Sequence, residues 1–163
     1  MSNPGHDLSL IRYTGTADHQ DTVVSILVSK WNEEVTSALL HGAIETLLHA
    51  GLSPSKILTH HVPGTYELPS AANMVLKANM EVDAVICLGC VVQGETRHFE
   101  FICQAAAQGI KEVSLKFNKP VIFGVLTPDN QQQALDRAGG KLGNKGQEAA
   151  VAALEMIDLQ RSL

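Results

Sequence analysis

The chain has 163 residues, 45% hydrophobic and 4% aromatic, with a formal charge of −5 at pH 7. That length and apolar content fit one domain with a real core, and the acidic balance excludes nucleic acid as a main partner, since no basic run follows a phosphate backbone or an anionic membrane. No stretch reaches the roughly 20 apolar residues of a membrane span, and the N-terminus lacks a charged-then-apolar leader, so the expected location is cytoplasmic.

Residues 1–20 are polar and broken by Pro4 and Gly5, which reads as a flexible arm preceding a single α/β domain over 21–163. "TVVSILVS" (22–29) is a β-branched run suited to a buried strand. Asn32 then offers an N-cap, with Glu33 and Glu34 in the first helical turn, where carboxylates suit the helix dipole. Val35, Leu39, Ala43 and Leu47 recur at helical spacing until Gly51 stops the helix. "KILTHHV" (56–62) predicts a second strand with His60 and His61 on opposite faces, ended by Pro63-Gly64. Pro69 fits the first turn of the next helix.

"DAVICLGCVV" (83–92) is the third strand, and the helix after it carries Phe99, Ile102, Ala106, Ile110, Val113 and Phe117 on one face. "VIFGVLT" (121–127) is the fourth. Asp129 with Gln132 resembles a capping box for a short helix ending at Gly139-Gly140, and Asn144 with Gln147 opens the last helix. Strands and helices alternate, and the strands are apolar on both faces. The expected fold is therefore a flavodoxin-like three-layer sandwich, a four-stranded parallel sheet with helices on both faces.

Cys87 and Cys90 form a C-x-x-C on a strand, where residues i and i+3 face opposite sides. A redox motif wants its first cysteine at a helix start, and a zinc site wants two further ligands, so the cysteines read as reduced core residues. The histidines show no metal-ligand spacing. "GGKLGNKG" (139–146) follows a helix and lacks the G-x-x-x-x-G-K-[ST] pattern of a nucleotide loop. It reads either as a solvated helix–helix turn or as a tight basic turn offering Arg137, Lys141 or Lys145 to an anion.

A parallel sheet binds ligands at the carboxyl ends of its strands, near a reversal of strand order. The unusual stretches all fall there: Ser29-Lys30-Trp31, Pro63 to Glu67, Gln93 to His98, and Thr127-Pro128. Gly94 permits close backbone approach, Thr96 can cap the following helix, and the helix-start amides suit a phosphate or another anion. His98 falls in that first turn, where a neutral imidazole can relay protons near pH 7. From the residues alone, a surface histidine at a helix start is the commoner reading.

Four blocks, "VPGTYELP" (62–69), "GCVVQGETRHFEF" (89–101), "PVIFGVLT" (120–127) and "RAGGKLGNKGQEAA" (137–150), together resemble the 6,7-dimethyl-8-ribityllumazine synthase family from about Val23 to Leu159. The resemblance implies a transferase of riboflavin biosynthesis. Such enzymes condense 5-amino-6-(D-ribitylamino)uracil with 3,4-dihydroxy-2-butanone 4-phosphate, releasing phosphate and water, with no metal and no organic cofactor. Alternatives on the same fold are an archaeal-type riboflavin synthase, which dismutates two lumazines, and a non-catalytic flavin-binding or shell-forming protein.

Carried over block by block, the resemblance implies His98 as the acid/base residue. It implies Glu95 and Thr96 as holders of the substrate phosphate, chiefly through backbone amides and the Thr96 hydroxyl. Arg137 is expected to grip that phosphate from a neighbouring subunit, with Lys145 nearby. Trp31, where Phe is commoner, would stack on the pyrimidine. Thr65, Tyr66 and Glu67 match the ribityl-binding stretch, Cys90, Val91 and Val92 the ring-lining one, and Phe123 an aromatic from the adjacent subunit. The Glu95 carboxylate would repel a phosphate, so its side chain is expected to turn outward. The family relation further implies a homopentamer, a sixty-subunit shell as a further assembly, and riboflavin synthase as a partner.

Overall fold

Val24–Ser29 (β1), Ile57–Val62 (β2), Ala84–Cys90 (β3) and Val121–Leu126 (β4) form one parallel sheet in the order β2-β1-β3-β4. The structure, a computed structural model, describes residues 11–163. Five helices connect and cover these strands: α1 (Glu33–His49), α2 (Leu68–Ala78), α3 (His98–Phe117), α4 (Gln131–Asp136) and α5 (Lys145–Ser162). Val24, Ile26 and Val28 of β1 and Ala84, Ile86 and Leu88 of β3 meet α1 and α5 on one face. The alternate residues Leu27, Val85 and Cys87 meet α2 and α3 on the other. Two-sided burial makes these strands continuous apolar runs, each fully buried Leu or Ile contributing roughly 1.5–3 kcal/mol. The expected three-layer α/β sandwich is therefore found.

β2 departs from that pattern. It is an outer strand, and Thr59, His60 and His61 are all exposed, so the two histidines do not divide between a buried and a solvent face.

Capping also differs from expectation in three places. Asn32 stands at the start of α1 but makes no cap; its backbone is left-handed (φ 59°, ψ 48°), and its amide instead donates to the Cys90 carbonyl at 2.9 Å. The cap of α4 shifts one residue, from Asp129 to Asn130, whose Oδ1 accepts from Gln133 N at 3.0 Å. Gln133 Oε1 accepts from the Asp129 amide at 2.9 Å, one residue before the N-cap, so the return bond of a capping box falls outside the cap residue itself. Thr96 does not cap α3, because the N-cap position belongs to Arg97 and no side chain bonds there.

The segment expected to be a helix–helix turn is a small antiparallel hairpin of Ala138–Gly140 (β5) and Gly143–Asn144 (β6). Gly139 (φ 108°) and Gly143 (φ 81°) adopt conformations that other residues rarely reach, and Lys145 N closes the hairpin on Arg137 O at 2.9 Å. Asn144 caps α5 as its sequence suggests, accepting from Gly146 N at 2.8 Å, while its amide donates to Ala38 O of α1 at 2.9 Å. A side chain at Gly146 would collide with the Leu39 carbonyl oxygen, so this glycine lets α5 press against α1.

Residues 11–20 of the expected arm contain no helix or strand, and residues 1–10 lie outside the described part. His19 is buried, with Nε2 at 2.8 Å from the Tyr13 hydroxyl and Nδ1 at 3.1 Å from Thr22 Oγ1. The Tyr13 hydroxyl donates to Asp158, and Arg161 donates to Thr22 Oγ1 at 2.9 Å, which joins this stretch to α5. Burial holds the His19 pKa below its ordinary 6.5, outweighing the attraction of Asp158. As pH falls the unfolded chain binds this proton first. The contribution is therefore complete above the unfolded value and is lost as pH falls through it towards the folded one. Urea unfolding should show wild type losing more stability between about pH 7 and pH 5.5 than His19→Gln does; parallel curves would refute the assignment.

Candidate functional site

The strand order places the topological reversal between β1 and β3, since the connection from β1 runs outward to β2 and the next one returns across to β3. Loops leaving the carboxyl ends of those two strands diverge and open a crevice. A cleft of about 810 Å³ lies there. Trp31 and Asn32 line it from the end of β1, Gly64 to Glu67 from the end of β2, and Cys90 to Val92 from the end of β3. His98 and Ile102 line it from the first turns of α3.

Each wall has a local cause. Thr65 to Glu67 form a single 3-10 turn after Gly64, closed by Glu67 N donating to Gly64 O at 3.3 Å. A Cβ on Gly64 would stand 3.0 Å from Glu67 Oε2 and 3.3 Å from Trp31 Cδ1, so the missing side chain lets carboxylate and indole share this corner. Trp31 is 73% exposed, an unusual state for a large aromatic ring. Tyr66 is also exposed, whereas Thr65 is buried and its hydroxyl has no hydrogen-bond partner among the described residues. That hydroxyl is turned against the bare Gly89 of β3 and is not accessible from the cleft, so Thr65 offers the cleft other atoms than its Oγ1.

Cys87 and Cys90 face opposite sides of β3, as their spacing requires: Cys90 joins the α1/α5 core and Cys87 the α2/α3 core. Both are free thiols. Desolvation, and secondarily Cys103, pushes the Cys90 pKa up to about 11, which leaves a neutral, unreactive sulfur in the cleft wall.

His98 is the first residue of α3, exposed and on the cleft side. Glu95 and Thr96 precede it and are exposed, but they do not line the cleft. The start of this 20-residue helix carries no side-chain cap, so its outward amides keep their partial positive charge. Among the described residues nothing comes within 4 Å of a Cβ placed on Gly94, so their packing does not demand that glycine.

The structure brings Trp31, Thr65, Tyr66, Glu67, Cys90, Val91, Val92 and His98 to one cleft, and it leaves five expected residues outside its lining: Glu95 and Thr96 just before His98, and Phe123, Arg137 and Lys145. Phe123 sits on β4 beside Cys87, half-buried against the α2/α3 core. Arg137 Nη2 and Lys145 Nζ each bond a different oxygen of Glu148 at 2.9 Å, and Arg137 Nη1 donates to Leu142 O at 3.0 Å. Lys141 pairs with Asp136 at 3.0 Å. The Asp136 carboxyl is held below its usual pKa by the Gln132 hydrogen bond first and Lys141 second. All three cations of the basic turn thus have an acidic partner within the chain.

Sequence reasoning did not single out Asn32 as a cleft residue, Ile102 as a wall, or Glu148 as the shared partner of two cations. Ile102 lies four residues after His98, a helical neighbour that spacing alone could have found. Lys145 and Glu148 are likewise three apart on α5. The Arg137 contact crosses the hairpin, and no local pattern announces it.

A family profile described as 6,7-dimethyl-8-ribityllumazine synthase matches residues 21–161. A protein of that name from Cytophaga hutchinsonii is 57% identical over 152 residues, covering 93% of this chain and 95% of its own length. Another, from Porphyromonas gingivalis, is 48% identical over 161 residues and covers 99% of both chains. A third, from Parabacteroides distasonis, is 43% identical over 158 residues, covering 97% of this chain and 98% of its own.

The buried thiol gives a direct check on the cleft wall. Native protein treated with iodoacetamide at about pH 8 should leave Cys90 unmodified while urea-unfolded protein reacts fully, because alkylation needs the thiolate. A Cys90 peptide alkylated under native conditions, seen by mass spectrometry, would contradict this wall.

Proposed function

The chain belongs to the 6,7-dimethyl-8-ribityllumazine synthase family, and on that premise we propose that the cleft at the β1–β3 reversal is where it condenses 5-amino-6-(D-ribitylamino)uracil with 3,4-dihydroxy-2-butanone 4-phosphate. One observation carries the reading: a single space unites an exposed indole, a polar turn, an apolar strand end and a histidine at an uncapped helix start. The pyrimidine lies against Trp31 and the apolar edge of Cys90, Val91 and Val92. The ribityl hydroxyls meet the turn of Thr65, Tyr66 and Glu67, which lines the cleft.

The phosphate of the four-carbon substrate sits at the start of α3, held by the amides of Glu95 and Thr96 and the Thr96 hydroxyl. Arg137 and Lys145 reach it from an adjoining subunit, and Phe123 covers the ring in the same way. Their distance from this chain's own cleft is compatible with that assignment. Glu148 already occupies both cations, so an arriving phosphate shares them with that carboxylate.

The amine and ketone condense to an imine, phosphate leaves, the ring closes and a second water is lost. Holding two reactants in register supplies much of the acceleration, and His98 moves protons between them. The assay is the appearance of the lumazine chromophore with both substrates present. No chromophore would reject catalysis, and turnover of the lumazine alone would identify a riboflavin synthase.

The same reading makes the protein a cytoplasmic homopentamer, with riboflavin synthase as a partner and a sixty-subunit shell as its larger assembly, favoured by the compact hairpin at 138–144. Light scattering is expected to show the shell. A five-subunit species alone would reject the shell, and a monomer would reject both.

Removing the imidazole in His98→Ala should slow turnover yet leave measurable activity, because orientation survives. Arg137→Ala should raise the KM for the phosphorylated substrate about tenfold or more, the scale of a lost charge-assisted hydrogen bond. Wild-type kinetics for Arg137→Ala would refute the phosphate role. Refolded together in equal amounts, the two variants should recover activity, because roughly a quarter of randomly formed head-to-tail interfaces would pair an intact His98 with an intact Arg137. Mixed oligomers with only the parental average would place the whole site in one subunit.

A further inference from the structure

The hydrogen-bonded ladder between β1 and β3 ends at the pair Val28 and Leu88. β3 continues to Cys90, but the β1 chain turns away, and Lys30 N donates instead to Val62 O of β2 at 2.9 Å. The Cys90 carbonyl is left without a strand partner on that side. The Asn32 amide takes the vacant place at 2.9 Å.

Asn32 adopts this role at a cost. It is one of two non-glycine residues with positive φ among those described, and the other, Asn118, closes the end of a helix, where a left-handed residue is ordinary. A left-handed asparagine opening a helix, with its side chain turned from the amides it would normally cap, is a strained arrangement beside a cleft. Its own carbonyl accepts from Val35 N at 2.9 Å and Thr36 N at 3.0 Å, so α1 grips the residue from one side and β3 from the other.

The residue so held immediately precedes α1 and follows Trp31. The indole is 73% exposed, so little packing restrains its rotamers, and its aim is set by the backbone that carries it and by the bare Gly64 edge. A stacking surface contributes most when it is already oriented before the ligand arrives.

We propose that Asn32 is a positioning residue: by tying the β1–α1 turn to the Cys90 carbonyl it fixes the Trp31 indole over the cleft and so sets affinity for the pyrimidine substrate. This rests on the reading of Trp31 as the ring-stacking group. The phosphorylated substrate, bound at the start of α3, does not depend on the tie.

Asn32→Gly is the informative variant, because glycine keeps the left-handed turn without strain and removes only the amide. Trp31 is the sole tryptophan, so its emission reports this indole alone. In Asn32→Gly the anisotropy of that emission should fall. The KM for the pyrimidine should rise about five- to tenfold, the scale of one lost hydrogen bond, while that for the butanone phosphate stays within about twofold. In a Trp31→Ala background the same substitution should add nothing, because the effect passes through the indole. Unchanged anisotropy and pyrimidine KM in Asn32→Gly would overturn the proposal. So would a pyrimidine penalty that persists in full without Trp31, which would mean that Asn32 touches the ligand itself or supports the fold generally. If Trp31→Ala alone leaves pyrimidine binding intact, the stacking reading fails and the proposal with it, whereas a failure confined to Asn32→Gly leaves that reading standing.

Discussion

The central pairing of β1 with β3 organises this molecule, and the place where it stops matters as much as the ladder itself. Parallel strands bring their carboxyl ends to one edge, and here neighbouring connections leave that edge in opposite directions. The divergence leaves space that no side chain among the described residues fills. It also leaves backbone groups whose ladder partners have ended, which buried structure has to satisfy in another way. The Asn32 amide on the Cys90 carbonyl is one such solution, and it lies at the cleft because the cleft and the interrupted ladder share one origin.

Polarity is distributed with similar economy around the cleft. The floor is apolar and holds a thiol that burial keeps protonated, so it offers shape without reactivity. The rim carries the exposed aromatic residues Trp31 and Tyr66 and the open start of α3. The cations of the hairpin region, Arg137, Lys141 and Lys145, each stand beside a carboxylate. Glu148 is only 13% exposed and serves both Arg137 and Lys145, so it screens their mutual repulsion and holds them in place.

That hairpin depends on close packing elsewhere. Asn144 caps α5 and bonds α1 through the same side chain, while Gly146 lets the two helices approach until backbone meets backbone. The registration of α5 on α1 therefore places Glu148, and through it the two basic groups.

The alternation of apolar strands with amphipathic helices was legible in the chain itself, because two-sided burial leaves a periodic record in every element. Val24 to Ser29 and Ala84 to Cys90 could hardly be other than central strands. Most of the cleft was legible too, since breaks in that periodicity fall at strand ends and there carry Trp31, Thr65 to Glu67 and His98. What tertiary structure alone decided was every choice between a local and a distant partner. Asn32 forgoes the cap that its neighbours suggest because a carbonyl 58 residues away needs a donor. Arg137 finds Glu148 across a hairpin whose glycines, read locally, suggested only a turn. His19, apparently part of a polar arm, is buried among Tyr13, Thr22 and Asp158 once α5 is in place. Sequence periodicity records which face of an element is dry, but a hydrogen bond between distant residues depends on the separation of two groups after folding, and no local pattern encodes that distance.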